Sequence, residues 1–245
     1  TRNDLLDYHR EYYIPKSCML LLTGKVTDEM LVRLSESFGR YSSDVEATKE
    51  KEISITMSSD REIWVEKNNA LQSAVRIGCP VVGREHPDFV GLRILNTVLG
   101  GYFGSRLMLN IRENKGYTYG ISAGIMFYPD SGLLGISTET DNEYVEPLIQ
   151  EVYHEIDKLH QELVPMEELT MVRNYMLGEM CRSYESAFSL SDAWIFIATS
   201  GLDDLYFSRS LQAVNEVTPQ EIQELAQRYL CKETLKEVIA GKKLS

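Results

Sequence analysis

The order in which hydrophobic periodicities succeed one another in this 245-residue chain predicts an α+β fold, an antiparallel sheet with helices packed on one face. Three observations carry that expectation. Strand-like segments are separated by runs of helices instead of alternating with them one for one. Two of the strands are joined by a turn short enough to force antiparallel pairing. The two ends of the chain also repeat one helix-turn-strand pattern.

That repeat sets "TRNDLLDYHREYYIPKSCMLLLTGK" (1–25) against "TPQEIQELAQRYLCKETLKEVIAGK" (218–242) without a gap. Each copy opens on a capping box, Thr1 with Asp4 and Thr218 with Glu221, in which the hydroxyl accepts from the third helical amide. Each continues with apolar residues at helical spacing, Leu5, Tyr8 and Tyr12 in one and Ile222, Leu225 and Tyr229 in the other. Each ends in an apolar run, "CMLLLTG" or "LKEVIAG", that reads as a strand closed by glycine. After the first copy, "VTDEMLVRLSESFG" reads as a capped helix ending at Gly39, and the polar "RYSSDVEATKEKE" as a linker. Residues 1–50 are therefore expected to be the tail of an upstream sister domain plus a linker, and residues 51–245 a complete domain.

Within the larger part, strands are expected at 63–66 and 70–80, then a helix over 86–99 with Phe89, Leu92, Leu95 and Leu99 along one face. A glycine-rich turn leads into a helix over 103–113, with Phe103, Leu107 and Ile111 four apart, that stops at Lys115-Gly116. Bulky and small residues then alternate from Tyr117 to Tyr128, as in a strand, and "PDSG" turns the chain into a second one, "LLGISTET". Helices follow at 145–163 and 166–184, the first expected to begin late because of Pro147. Shorter helices lead to the second repeat copy.

The net charge of −12 argues against a nucleic-acid backbone or an anionic membrane surface as partner. No apolar stretch approaches the roughly 20 residues of a membrane span. Cys18, Cys79, Cys181 and Cys231 form no C-x-x-C pair and are expected to be reduced, mostly buried thiols of an intracellular protein. His154, Glu155, Asp157 and His160 are expected on a solvated charged face, because histidines six apart do not share a helix face to bind a metal. No H-x-x-E-H or inverted equivalent, phosphate loop or G-x-S-x-G occurs, so no catalytic set is complete in this chain.

One stretch remains, "LGGYFGSRLMLNIRENKGYTYGISAG" (99–124). Gly100, Gly101 and Gly104 permit a tight reversal and close backbone approach. Arg112 ends a helix and Tyr119 follows the turn at Gly116, so a guanidinium and a phenol could converge as donors to a carbonyl oxygen or its oxyanion. The alternative is structural: Arg112 complements the helix C-terminus and Tyr119 packs against Ile121.

Together with "LQSAVRIGCP" and "DYHREYYIPKSCMLLLTGKV", that stretch resembles the second domain of the pitrilysin/insulinase-type zinc peptidases, the inverzincin group that includes the mitochondrial processing peptidase. The resemblance implies two sister α+β domains, with the zinc site, an inverted H-x-x-E-H and a distant Glu, in the first. No cofactor is then expected in this chain, and zinc is expected in an upstream domain or a partner subunit. It implies that Arg112 and Tyr119 are substrate-binding residues, holding a peptide near the metal, with Gly100, Gly101 and Gly104 shaping the site. Tyr117-Thr118 and Asn114-Lys115 depart from the usual pattern of the family. The implied partners are a peptide substrate, a sister N-terminal domain, and a second subunit in a homo- or heterodimer. The implied function is the non-zinc, substrate-binding half of a metalloendopeptidase, inactive alone, the alternative being a non-catalytic assembly subunit. A cytoplasmic location is expected, with periplasmic export left open.

Overall fold

The computed structural model describes residues 1–39, 58–128 and 131–244. In chain order the main elements are α1 (Arg2–Tyr12), α2 (Asp28–Phe38), β1 (Glu62–Glu66), β2 (Gln72–Val81), α3 (Phe89–Asn96), β3 (Ile121–Phe127), β4 (Gly132–Asp141), α4 (Val145–Gln161), α5 (Met166–Arg182), α6 (Ala187–Thr199), α7 (Tyr206–Glu216), α8 (Pro219–Tyr229) and β5 (Lys236–Gly241). Two π-helical segments, Thr97–Gly101 and Met108–Asn114, lie between α3 and β3. Among the described residues, those within 58–181 and 197–244 make one compact unit, and 1–39 with 182–196 another.

The larger unit carries a five-stranded sheet in the order β1-β5-β2-β4-β3. It is antiparallel, as its strand pattern predicts, except at one edge, where β1 runs parallel to β5. The C-terminal strand inserts between β1 and β2, so β1 meets a strand from the far end of the chain instead of its sequence neighbour. The hairpin β3–β4 pairs from Ile121 with Thr138 to Phe127 with Gly132, and Pro129-Asp130 of its expected turn lie outside the described residues.

One face of this sheet is the core. Val75, Ile77 and Cys79 of β2, Leu134 and Ile136 of β4 and Ile239 of β5 are buried against Leu92 and Leu95 of α3, Leu148, Val152 and Ile156 of α4, and Ile222 and Leu225 of α8. Fully burying each such side chain is worth about 1.5–3 kcal/mol. The alternate residues of β2 and β4, among them Gln72, Arg76, Glu139 and Asp141, stay exposed on the other face.

Four expectations need correction. Helix α4 begins at Val145, because Pro147 falls in its first turn, where a missing N–H costs no bond. The face holding Glu155 is packed, not solvated: Glu155 is buried and accepts from Asn110 Nδ2 (2.7 Å) and Lys158 Nζ (2.9 Å), while the ring Nε2 of half-buried His160 meets the Ala226 carbonyl (3.0 Å). The thiols are not mostly buried, since Cys18 and Cys181 are exposed and only Cys79 is in the core, where burial and, less, Cys231 push its pKa up to about 11. Finally, "CMLLLTG" forms no strand: it has no ladder partner among the described residues, and Met19 and Leu20 are exposed.

The repeat survives at the level of helices. Both capping boxes form, Thr1 with Asp4 and Thr218 with Glu221. The apolar stripes differ in burial: Ile222 and Leu225 are buried, whereas Leu5 and Tyr8 at the equivalent positions are exposed.

Candidate functional site

The segment between α3 and β3 is built by close approach. Gly100 lies in the first π-helical segment with no room for a side chain, since an added Cβ would sit 2.7 Å from both the backbone N and the Cβ of Ala123 on β3 and 3.1 Å from Leu107 Cδ1. Gly101 and Gly104 are tight for lesser reasons, facing Asn96 and the Tyr102 ring. Gly100→Ala is therefore expected to cost about 1–3 kcal/mol by overpacking. Gly124→Ala, where a Cβ meets open space, should change stability by a few tenths; urea unfolding compares the two.

The chain then descends through Leu107 and Ile111, both buried, to Arg112. The expected helix over 103–113 forms only from residue 106, and Phe103 is exposed instead of joining the core stripe. From Met108 the winding is π-helical, with Lys115 N–H bonding to the Asn110 carbonyl at 3.0 Å. The extra residue per turn changes the direction in which Arg112 emerges. Its guanidinium lies over the Phe103 ring, 4.8 Å from the centroid, a cation–π contact worth about 0.5–1 kcal/mol at an exposed site.

Gly116, at φ +68°, reverses the chain. Residues 117–120 are not part of β3, as the alternation suggests, but a loop fastened along β4. Thr140 Oγ1 donates to the Tyr117 carbonyl (2.5 Å), and Thr118 Oγ1 donates to the Glu139 carbonyl (2.6 Å) while accepting from Gly120 N–H (3.1 Å). Thr138 Oγ1 donates to the Gly120 carbonyl (2.9 Å), and the Tyr117 ring stacks on Tyr144 at 4.9 Å. The family-atypical pair Tyr117-Thr118 thus anchors the loop.

The outcome for the two predicted residues is asymmetric. Arg112 Nε donates to the Tyr119 backbone carbonyl (2.8 Å), and Arg112 Nη1 pairs with Glu113. The Tyr119 side chain is 93% exposed, so it does not pack against Ile121, and its hydroxyl has no partner among the described residues. Both line one open recess of about 400 Å³, with Gln72, Glu113, Tyr117, Thr118 and Asp141. Sequence reasoning missed Phe103, Gln72 and Asp141; Gln72 Nε2 donates to Asp141 Oδ1 (3.0 Å) across the β2–β4 pair, a register that no local pattern reveals.

The end of the π-helical segment is tied to α4. Lys115 Nζ pairs with Glu151 (2.9 Å), which also accepts from Asn110 Nδ2 (2.9 Å). These bonds, that from Lys115 first, hold the Glu151 carboxyl below the usual carboxylate range. A lowered pKa stabilises the fold above the unfolded-state value of about 4.3, and that stabilisation is lost as pH falls through the folded value. Lys115→Met is expected to raise the Glu151 pKa only part of the way back, because Asn110 remains; carboxyl NMR titration reads it.

With this geometry in view, the comparisons are specific. Residues 1–176 match the model of the peptidase M16 inactive domain. The chain belongs to the peptidase M16 family. Its relatives include a Bacillus subtilis protein named as an uncharacterized zinc protease, YmxG, 28% identical over 188 residues that make 76% of this chain and 45% of that protein. Another, an uncharacterized zinc protease of Mycobacterium leprae, is 24% identical over 95% of this chain and 53% of its own length. The crystal structure of a protease from Helicobacter pylori superposes with a TM-score of 0.83 at 18% identity, covering 98% of this chain and 59% of that one, a likeness of fold. The chain spans about half the length of the curated M16 relatives it matches. Among the described residues, no group of three or more His, Cys, Asp or Glu side chains is placed to hold a metal ion.

Proposed function

We propose that this M16 inactive domain is the substrate-binding half of a zinc metalloendopeptidase, the zinc being carried by a sister N-terminal domain or by a partner subunit of a homo- or heterodimer. The observation that carries the reading is the recess in which the Arg112 guanidinium and the free Tyr119 hydroxyl are offered together. The guanidinium is a donor only, and the phenol, which can also accept, donates readily to an anion. A peptide carbonyl laid between them gains two hydrogen bonds, and these strengthen as its oxygen becomes an oxyanion. Glu113 and Asp141 on the same recess wall are acceptors for peptide N–H groups.

The half-length match to the M16 relatives supports a sister domain, as does the stripe of Leu5, Tyr8 and Tyr12, whose counterpart on α8 is largely buried. The test is peptide cleavage by the protein with a zinc-bearing sister domain, fused or added, and by the 245-residue chain alone. Cleavage is expected only in the first case, and only with Arg112 and Tyr119 intact. Full activity of the Arg112→Ala/Tyr119→Phe double variant would overturn their role and favour an assembly subunit.

A further inference from the structure

The recess at Arg112 continues along the open face of the sheet. A second recess of about 290 Å³ shares Gln72, Thr118 and Tyr119 with the first and extends to Arg76, Ser137 and Glu139. Arg76 projects from β2 on the face away from the core, between the buried Val75 and Ile77. One of its nitrogens is committed to the backbone: Nη1 donates to the Val75 carbonyl (2.9 Å) and the Thr138 carbonyl (3.0 Å). That anchoring fixes the head of the side chain. The Nε–H and Nη2 donors are left without a partner, and Arg76 forms no ion pair among the described residues, in a protein of net charge −12. A guanidinium held by one nitrogen on carbonyls and free on its other edge is shaped to receive a carboxylate.

We propose that Arg76 is a specificity-determining residue that takes a carboxylate of the bound peptide, an inference that rests on the peptide-binding reading above. The distance sets the register. Gln72 borders both recesses and lies four residues from Arg76 on the same face of β2, about 13 Å at the rise of an extended strand. A peptide running alongside would place its carboxylate two to four residues from the unit held at Arg112 and Tyr119. The opposing charge is Glu139, which also lines the second recess and weakens the preference without neutralising Arg76 by a direct pair. The carboxylate has two sources, an Asp or Glu side chain or the peptide C-terminus.

Titration calorimetry of the 245-residue chain with three kinds of acetylated nonapeptide separates them: a series of peptide amides with Glu walked through each position, the same peptide amide with Gln, and the Gln peptide with a free C-terminus. The best-placed Glu peptide, the free-acid peptide, or both should bind about tenfold tighter than the Gln amide. Arg76→Gln should abolish that preference, and Glu139→Gln should widen it. A preference confined to the free-acid peptide assigns the site to the C-terminus; one confined to an internal Glu assigns it to a side chain. Equal binding of all three, unmoved by Arg76→Gln, overturns the subsite and leaves the peptide-binding reading standing. Binding of none overturns that reading, and the subsite with it.

Discussion

Arg112→Ala is expected to lower kcat/KM for peptide hydrolysis by about 10²–10³-fold in the protein assembled with a zinc-bearing domain, the loss typical of one preorganised donor to an oxyanion. Arginine here has two duties. It offers Nη2 to the recess, Nη1 being paired with Glu113, and through Nε it holds the carbonyl of Tyr119, so the loop loses a tether when the guanidinium goes. Arg112→Lys should recover little, because an ammonium cannot hold that carbonyl and present a planar edge at once. Tyr119→Phe removes a hydroxyl and no packing, since the ring is exposed, and should act on activity with the melting temperature unchanged. The two losses should fall short of additive if both donors serve one oxygen. Thermal unfolding beside the kinetics separates chemistry from collapse: Arg112 is on the surface end of its segment, and its removal should move stability by no more than about 1 kcal/mol.

Leu107→Ala should have the largest effect on stability, about 2–5 kcal/mol in urea unfolding. Its side chain is 0% exposed and sits where the glycine-rich turn, the π-helical segment and β3 meet, with Cδ1 within 3.1 Å of where a Gly100 Cβ would be. The cavity cannot be filled by collapse, because Gly100 has no side chain to move in and Ala123 is held in the β3–β4 ladder. Leu107→Met, which keeps the volume, should cost less than about 1.5 kcal/mol. The neighbouring Arg106 ties this segment to α5 by a two-point pair with Glu168, Nε to Oε1 at 2.8 Å and Nη2 to Oε2 at 2.9 Å.

What the sequence made legible follows the range of the forces involved. Capping boxes, the 3.6-residue stripe of α8, the strand at β2 and the stop at Gly116 are local, and the structure has them where the pattern places them. The α+β class was legible for the same reason. The parallel edge β1–β5 was not, because it joins residues about 175 apart. Tyr117 and Tyr119 continue the alternation of β3 but leave the strand, since hydrogen bonds from Thr118, Thr138 and Thr140, invisible to a hydrophobic pattern, hold the loop elsewhere. Phe103 fits a four-residue spacing with Leu107 and Ile111, yet the helix starts after it and its ring meets Arg112. That Arg112 and Tyr119 could converge was one of two readings the turn between them left open, and the resemblance favoured it. That the contact runs through the Tyr119 carbonyl, freeing its phenol, depends on the fold of the 117–120 loop, which no local pattern encodes.

The most direct measurement of whether the Arg112–Tyr119 recess is a peptide site is an NMR titration of the ¹⁵N-labelled 245-residue chain with the acetylated nonapeptide amides. If it is, the Nε–H resonance of Arg112 and the amides of Thr118 to Gly120 shift in concert, and the Arg112→Ala/Tyr119→Phe variant loses the response. Shifts that spare those signals, or that persist in the double variant, would place peptide binding elsewhere and contradict the function proposed for this domain.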